Sequence, residues 1–226
     1  MQSTLEIAAV LCALVFFSVV SLKKKSLDRK GIIIANIVGL LIFLLGSFFD
    51  FVLIVVFFVV SELCTRYARN FQKEKHEVRT TGNILGNSGA AVIALILHSE
   101  IGFFGAVSAA LADTLSSEIG LLSKKKPVLI TTLKTVPAGT DGGITLLGCT
   151  AAVIGAAIIG AMHYLVFANA LAAGTLVVAG LFGSLSDSVA GALFERKGGL
   201  NNAEVNFIGS STGGIIAFVL SKLLRF

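Results

Sequence analysis

Apolar runs long enough to cross the roughly 30 Å hydrocarbon core of a bilayer recur along this chain, near residues 4–22, 31–47, 49–65, 84–98, 102–122, 144–165, 171–193 and 208–224. A mean hydropathy of +0.92, with 55% hydrophobic and 14% charged residues, agrees with a membrane chain. The expectation is an all-α polytopic membrane bundle of about seven or eight transmembrane segments. The fourth and eighth runs are short or glycine-rich, so they could re-enter rather than cross.

The basic residues fall in alternate connections. Lys23, Lys24, Lys25, Arg29 and Lys30 follow the first run, and Arg66, Arg69, Lys73, Lys75 and Arg79 follow the third. Lys124, Lys125, Lys126 and Lys134 follow the fifth, and Arg196 and Lys197 the seventh, while the connections near Asp50, Glu100 and Asn169 carry none. The positive-inside rule then predicts cytoplasmic basic loops and an outside N-terminus, in a multi-pass protein of the cell membrane. Lys222 and Arg225 conflict mildly with this, because they end outside if the eighth run crosses. No basic segment precedes the first run, so it reads as a retained span rather than a cleaved signal.

The net charge of +5 is therefore a topology signal with some attraction to anionic headgroups. No basic stretch is interleaved with aromatics to stack bases, so no nucleic-acid partner is expected. Cys12, Cys64 and Cys149 lack paired spacing, which argues against a disulfide or zinc framework. His76, His98 and His163 are scattered, without metal-ligand spacing, and are expected at surfaces or interfaces.

The chain reads as one transmembrane domain, 1–226, with residues 1–65 as hydrophobic scaffold and 66–226 as the motif-bearing catalytic portion. Every unusual segment abuts a basic loop: "RTTGNILGNSG" (79–89), "DTLSSEIG" (113–120), "KTVPAGTDGG" (134–143), "GSLSDSVAGALFERK" (183–197) and "NNAEVNFIGSSTGG" (201–214). Polar, glycine-rich elements gathered on one membrane face point to one composite site. "ADTLSS" (112–117) echoes "SDSVAG" (186–191), and "NILGNSG" (83–89) echoes "NFIGSST" (206–212), as a duplicated half would.

Asp113 and Asp187 sit near the same ends of their runs. A carboxylate at membrane depth is costly and normally faces a partner or a wet cavity, so either loop cations or a metal ion can be its counterpart. Mg²⁺ suits the second reading because it takes one or two carboxylates, waters and substrate phosphates. Glu118 lies five residues beyond Asp113, about 140° round an ideal helix. It ranks behind Asp113 and Asp187 as a metal ligand and could instead hold a loop lysine. In "KTVPAGTDGG", Lys134 precedes a proline turn and Gly139, Thr140, Gly142 and Gly143, whose backbone could approach phosphate oxygens. No P-loop pattern is present. Arg79, Asn83 and Asn87 recur at four-residue spacing, as do Asn202 and Asn206, which suits either capping and packing or phosphate contact.

Taken in order, "ADTLSSEIGLLSKKKPVLITTLKTVPAGTDGGIT", "GSLSDSVAGALFERK" and "NNAEVNFIGSSTGG" resemble a membrane family that contains plant phytyl-phosphate kinase and an uncharacterised animal transmembrane protein. The likeness covers about residues 65–220, with a more distant similarity to polyprenol kinases and CDP-diacylglycerol synthases. It implies an isoprenyl-phosphate kinase that uses a nucleoside triphosphate, CTP favoured, with Mg²⁺, on phytyl or geranylgeranyl phosphate. By position it implies Asp113, Glu118 and Asp187 as motif acids, Lys124 and Lys134 as loop bases, and Asn87, Asn202 and Asn206 as motif asparagines. Asn83 stands where many relatives have glutamine, and Gly86 and Ser88 where alanine and glycine are usual, which bears on donor or prenyl preference. The same cluster would serve cytidylyl transfer, and the echoed halves would serve a lipid-phosphate or anion transporter. Association as a homo-oligomer is left open.

Overall fold

The computed structural model describes residues 3–72 and 78–226; Lys73, Lys75 and His76 of the sequence reading lie outside the described residues. Eight α-helices follow in order: α1 (Thr4–Lys24), α2 (Arg29–Leu45), α3 (Phe48–Gln72), α4 (Thr81–Ile96), α5 (Glu100–Gly120), α6 (Leu146–Phe167), α7 (Ala170–Leu193) and α8 (Asn202–Leu224). A 3-10 turn, Glu195–Lys197, follows α7, and the α5–α6 connection carries an antiparallel pair, β1 (Val128–Leu129) with β2 (Gly143–Ile144).

Side chains mark most helix starts. Asp28 accepts from the Gly31 amide (2.6 Å), Thr145 from the Gly148 amide (3.0 Å) and Asn169 from the Ala172 amide (3.0 Å). Asn201 and Glu204 cap each other's amides at the start of α8. Near a membrane such caps matter more than in water, because an orphan N–H in hydrocarbon finds no solvent partner.

The chain is an integral multi-pass membrane protein, and α1, α3, α6, α7 with its 3-10 turn, and α8 are each long and apolar enough to cross a bilayer. The helices α2 and α4 are shorter, at 17 and 16 residues. The 21-residue α5 is absent from that set, although residues 102–122 read as a crossing run. Its position explains this: α5 runs through the centre of the bundle against α3, α4, α6, α7 and α8, and is buried continuously from Gly102 to Ala112. A helix enclosed by protein can use small, weakly apolar residues that one facing lipid could not. The eighth run forms one continuous 23-residue helix, long and apolar enough to cross.

Small residues set the close packing at the centre. A side chain at Gly105 would strike Ala217 and Gly213 of α8, and one at Gly183 would strike Ala109 of α5 and Gly209 of α8. Backbones therefore approach directly at the α5, α7 and α8 junction, as in other small-residue membrane interfaces. The helix α1 lies at the flank, packed mainly along α2 and barely touching α3.

Helix polarity alternates, so the connections after α1, α3, α5 and α7 share one end. Leu27, after α1, pairs with Arg79, after α3, and the Gln72 amide at the end of α3 donates to the Leu121 carbonyl after α5 (3.2 Å). His98 is exposed as expected. His163 is not at a surface: it is buried at the opposite end between the rings of Phe104 (5.1 Å) and Phe167 (4.6 Å). An imidazole stacks in such a slot as a flat, weakly polar ring, which sequence spacing does not register. The three cysteines are free.

Candidate active site

A polar cavity of about 370 Å³ opens at the shared end. Its walls come from the end of α5, the β1–β2 hairpin, the end of α7 and the start of α8. Asp113, Asp187, Lys124, Gly139, Thr140, Gly142, Gly143, Asn202 and Asn206, nine of the expected site residues, all line it.

The side chains of Asp113 and Asp187 meet in hydrogen-bonding contact, although they belong to different helices. The Ser184 hydroxyl adds a long bond to Asp113 Oδ1 (3.4 Å). Gly209 allows this arrangement, since a side chain there would press on the Asp187 Cβ. Asn206, with its amide turned so that nitrogen faces acceptors, donates to Asp187 Oδ2 (3.1 Å) and accepts from Asn87 Nδ2 (3.3 Å). Asp113 of α5 and Asp187 of α7, matched in the echo, therefore come together, while Asn206 of α8 meets Asn87 of α4, one turn beyond the matched Asn83.

Two acids that the sequence reading did not single out join this cluster. Glu195 and Asp141 of the hairpin line the same cavity as both aspartates and Asn202, close enough for their charges to act on one another. The eight-residue step from Asp187 to Glu195, about two helical turns, was the available signal for the first. Ser184, three residues before Asp187 and so on its face, was equally findable.

The hairpin is folded tightly. The Leu129 amide donates to the Lys134 carbonyl (2.9 Å), the Ile130 amide to Gly142 (3.0 Å), and the Gly143 amide to Thr140 (2.8 Å). Gly142 has φ +75° and lies against the Ser188 carbonyl and Ala192 of α7, where glycine is needed both for conformation and for space. Lys134 is exposed on the far part of the hairpin and does not line the cavity. Lys124, Lys125 and Lys126 supply its basic wall.

Glu118 turns the other way, as its 140° offset requires. Its Oε1 accepts from the Thr65 hydroxyl on α3 (2.8 Å), which in turn accepts from Arg79 Nη2 (2.9 Å). Its partner is thus a threonine and not a loop lysine. Burial lowers the Arg79 pKa, and the facing carboxylates of Glu62 and Glu118 oppose that. Asn83 acts as a cap, accepting from the Thr80 amide (2.9 Å). Arg79, Asn83 and Asn87 line a second cavity, between α1, α2, α3 and α4, and not the polar one.

Among the described residues no group of three His, Cys, Asp or Glu side chains forms a ready metal cage. The Asp113–Asp187 pair nevertheless fits Mg²⁺, which needs only one or two carboxylates when waters and phosphates complete its shell. Four acids line the polar cavity against three lysines; with no cation added they would repel a polyphosphate.

The sequence profile of the integral membrane protein family DUF92 matches residues 12–214. An uncharacterised membrane protein of Methanocaldococcus jannaschii is 38% identical over 207 residues, covering 88% of this chain and 87% of that one. Protein PGR of Arabidopsis thaliana is 32% identical over 87% of this chain and 81% of its own length. The chloroplastic protein VTE6 of Arabidopsis thaliana is 28% identical over 88% of this chain and 66% of its own length. No solved structure matches. By the extent of the profile and by these relatives, the chain belongs to the DUF92 family of integral membrane proteins.

Proposed function

We propose that this chain is an integral membrane kinase that transfers the γ-phosphoryl group of a nucleoside triphosphate, CTP favoured, to an isoprenyl monophosphate such as phytyl or geranylgeranyl phosphate. The observation that carries the reading is the contact of Asp113 with Asp187 on the wall of a cavity that also presents three lysines and a glycine-rich loop. The match to VTE6 supports it, through the likeness to phytyl-phosphate kinase that the motifs imply.

An oxygen of the acceptor phosphate attacks the γ-phosphorus; the new P–O bond forms as the bond to the β-bridging oxygen breaks, and the nucleoside diphosphate leaves. The attacking group is already ionised, so the protein supplies position and charge rather than a nucleophile. Asp113 and Asp187 would hold Mg²⁺, which when bound offsets the negative charge of the donor phosphates. Lys124, Lys125 and Lys126 draw the donor in, and the 139–143 turn lies close enough to α7 to bound its phosphates. Asn206 holds Asp187 in place. The site would face the cytoplasm, where the basic loops lie under the positive-inside rule.

The test is purified protein in detergent with γ-labelled CTP, Mg²⁺ and geranylgeranyl phosphate, beside Asp187→Asn. Label passing into a prenyl diphosphate, and lost in the variant, is the expected result. Release of pyrophosphate with the cytidylyl group on the lipid would replace the kinase by a cytidylyltransferase.

A further inference from the structure

The second cavity, of about 310 Å³, differs in kind from the first. Its body is apolar, lined by Leu14, Phe17 and Val20 of α1, Val38 of α2, and Ile54 and Phe58 of α3. One end carries the basic residues Lys24, Arg66 and Arg79; Glu62 in the lining pairs with Arg66 (2.6 Å) and, with Glu118, faces Arg79, which leaves the end with a net positive charge. Along α3 the lining runs from Phe51 to Arg66, about 22 Å at helical rise and most of the hydrocarbon thickness. It lies in the gap that α1 leaves by packing along α2 and barely against α3.

The cationic end is built, not incidental. Arg66 donates from Nη2 to the Lys24 carbonyl (2.9 Å) and to Ser26 (3.0 Å), fixing the end of α1 against α3. Arg79 is held by its backbone bond to Ser26 (3.0 Å) and by Thr65. Asn87, buried in the same lining, is the residue that donates to Asn206, which reaches Asp187 in the polar cavity. An apolar slot with cations at one end matches a single-tailed lipid ending in phosphate. Its link to the aspartates, through Asn87 and Asn206, suits a lipid whose phosphate reacts there.

We propose that this cavity holds the hydrocarbon tail of the acceptor, with its phosphate between Arg79 and Asn87. Donor and acceptor then approach the Asn87–Asn206–Asp187 chain from opposite sides. This rests on the kinase reading, and it gives α1, α2 and α3 a substrate-binding part beyond scaffolding.

The experiment is photo-crosslinking of the full chain in detergent, without nucleotide, using geranylgeranyl phosphate that carries a diazirine on its tail. Adducts are expected on cavity-facing residues of α1, α2 and α3, suppressed by excess unlabelled geranylgeranyl phosphate and not by phosphatidylglycerol. Ala35→Phe, which fills the slot from α2, should abolish those adducts and raise the acceptor KM about tenfold, leaving the CTP KM unchanged. Ala13→Phe, on the loosely packed α1, serves if the first variant does not fold. Adducts on the outer faces of α6 or α8, or equal suppression by phosphatidylglycerol, would overturn the proposal. Wild-type acceptor KM in a folded filled variant would overturn it and leave the kinase standing. Specific adducts without phosphoryl transfer from any donor would instead sink the kinase and keep a lipid-phosphate site.

Discussion

The carboxyl group of Asp113 on α5 touches that of Asp187 on α7, and both open onto the same polar cavity. Two like charges in contact are tolerated only when a proton or a cation lies between them, so removing one changes what the pair can hold. Asp187→Asn and Asp113→Asn should each lower kcat by about 10²–10³-fold, the usual loss when one electrostatic contact to the transition state goes. Steady-state kinetics on protein that elutes as a single folded species in detergent would check this. Wild-type turnover in either variant would detach the pair from the chemistry.

If the pair binds the metal, Mg²⁺ with CTP should raise the Tm of the wild-type protein, since a ligand at about 100 times its Kd stabilises by about 2.7 kcal/mol. Chelation with EDTA should remove that shift, and the double variant Asp113→Asn, Asp187→Asn should never show it. Glu118→Gln should keep it in full, because Glu118 faces Thr65 and Arg79 rather than the aspartates. Loss of the shift in Glu118→Gln would return Glu118 to the metal site.

The eight helices were legible because the apolar runs and their caps are local signals, and the structure bounds most of them within a few residues of the expected ends. The central place of α5 was not, since Gly, Ala and Ser score as weakly apolar whether they face lipid or a neighbouring backbone. The meeting of Asp113 with Asp187 joins matched positions of the echoed motifs, whereas Asn206 meets Asn87 and not Asn83, its match in the echo. Glu118 and Lys134 lie in the polar segments "DTLSSEIG" and "KTVPAGTDGG" and yet point elsewhere. One is set aside by helical phase and the other by a hairpin whose fold depends on backbone bonds that residue types do not announce. The apolar cavity left no motif at all, because phenylalanines and valines lining a slot look like those packing a core.

The basic residues separate in the same way. Lys124 lines the polar cavity and Lys134 does not. Lys124→Ala should raise the donor KM about tenfold with kcat nearly unchanged, as expected for a contact made equally in ground and transition states. Lys134→Ala should leave both constants within about twofold, an exposed side chain outside the lining having little to lose. Varying CTP at saturating acceptor would check both. A large kcat effect at Lys134 would mean that the hairpin closes over the donor.

Two glycines of one loop make a paired test of how that loop is held. Gly139 and Gly142 both have φ near +75°, but a side chain at Gly139 meets nothing within 4 Å, whereas at Gly142 it would lie 2.5 Å from the Ser188 carbonyl and collide with Ala192. Gly139→Ala therefore costs only the left-handed strain, about 1–2 kcal/mol. Gly142→Ala adds a steric clash with α7 that the loop can relieve only by moving away from it. The second variant should melt lower and show a raised donor KM, because the displaced turn widens the cavity beside Asp187. The first should keep the wild-type KM. Thermal unfolding in detergent followed by CTP titration would measure both. Equal behaviour of the two variants would mean that the turn does not rest on α7 when donor is bound.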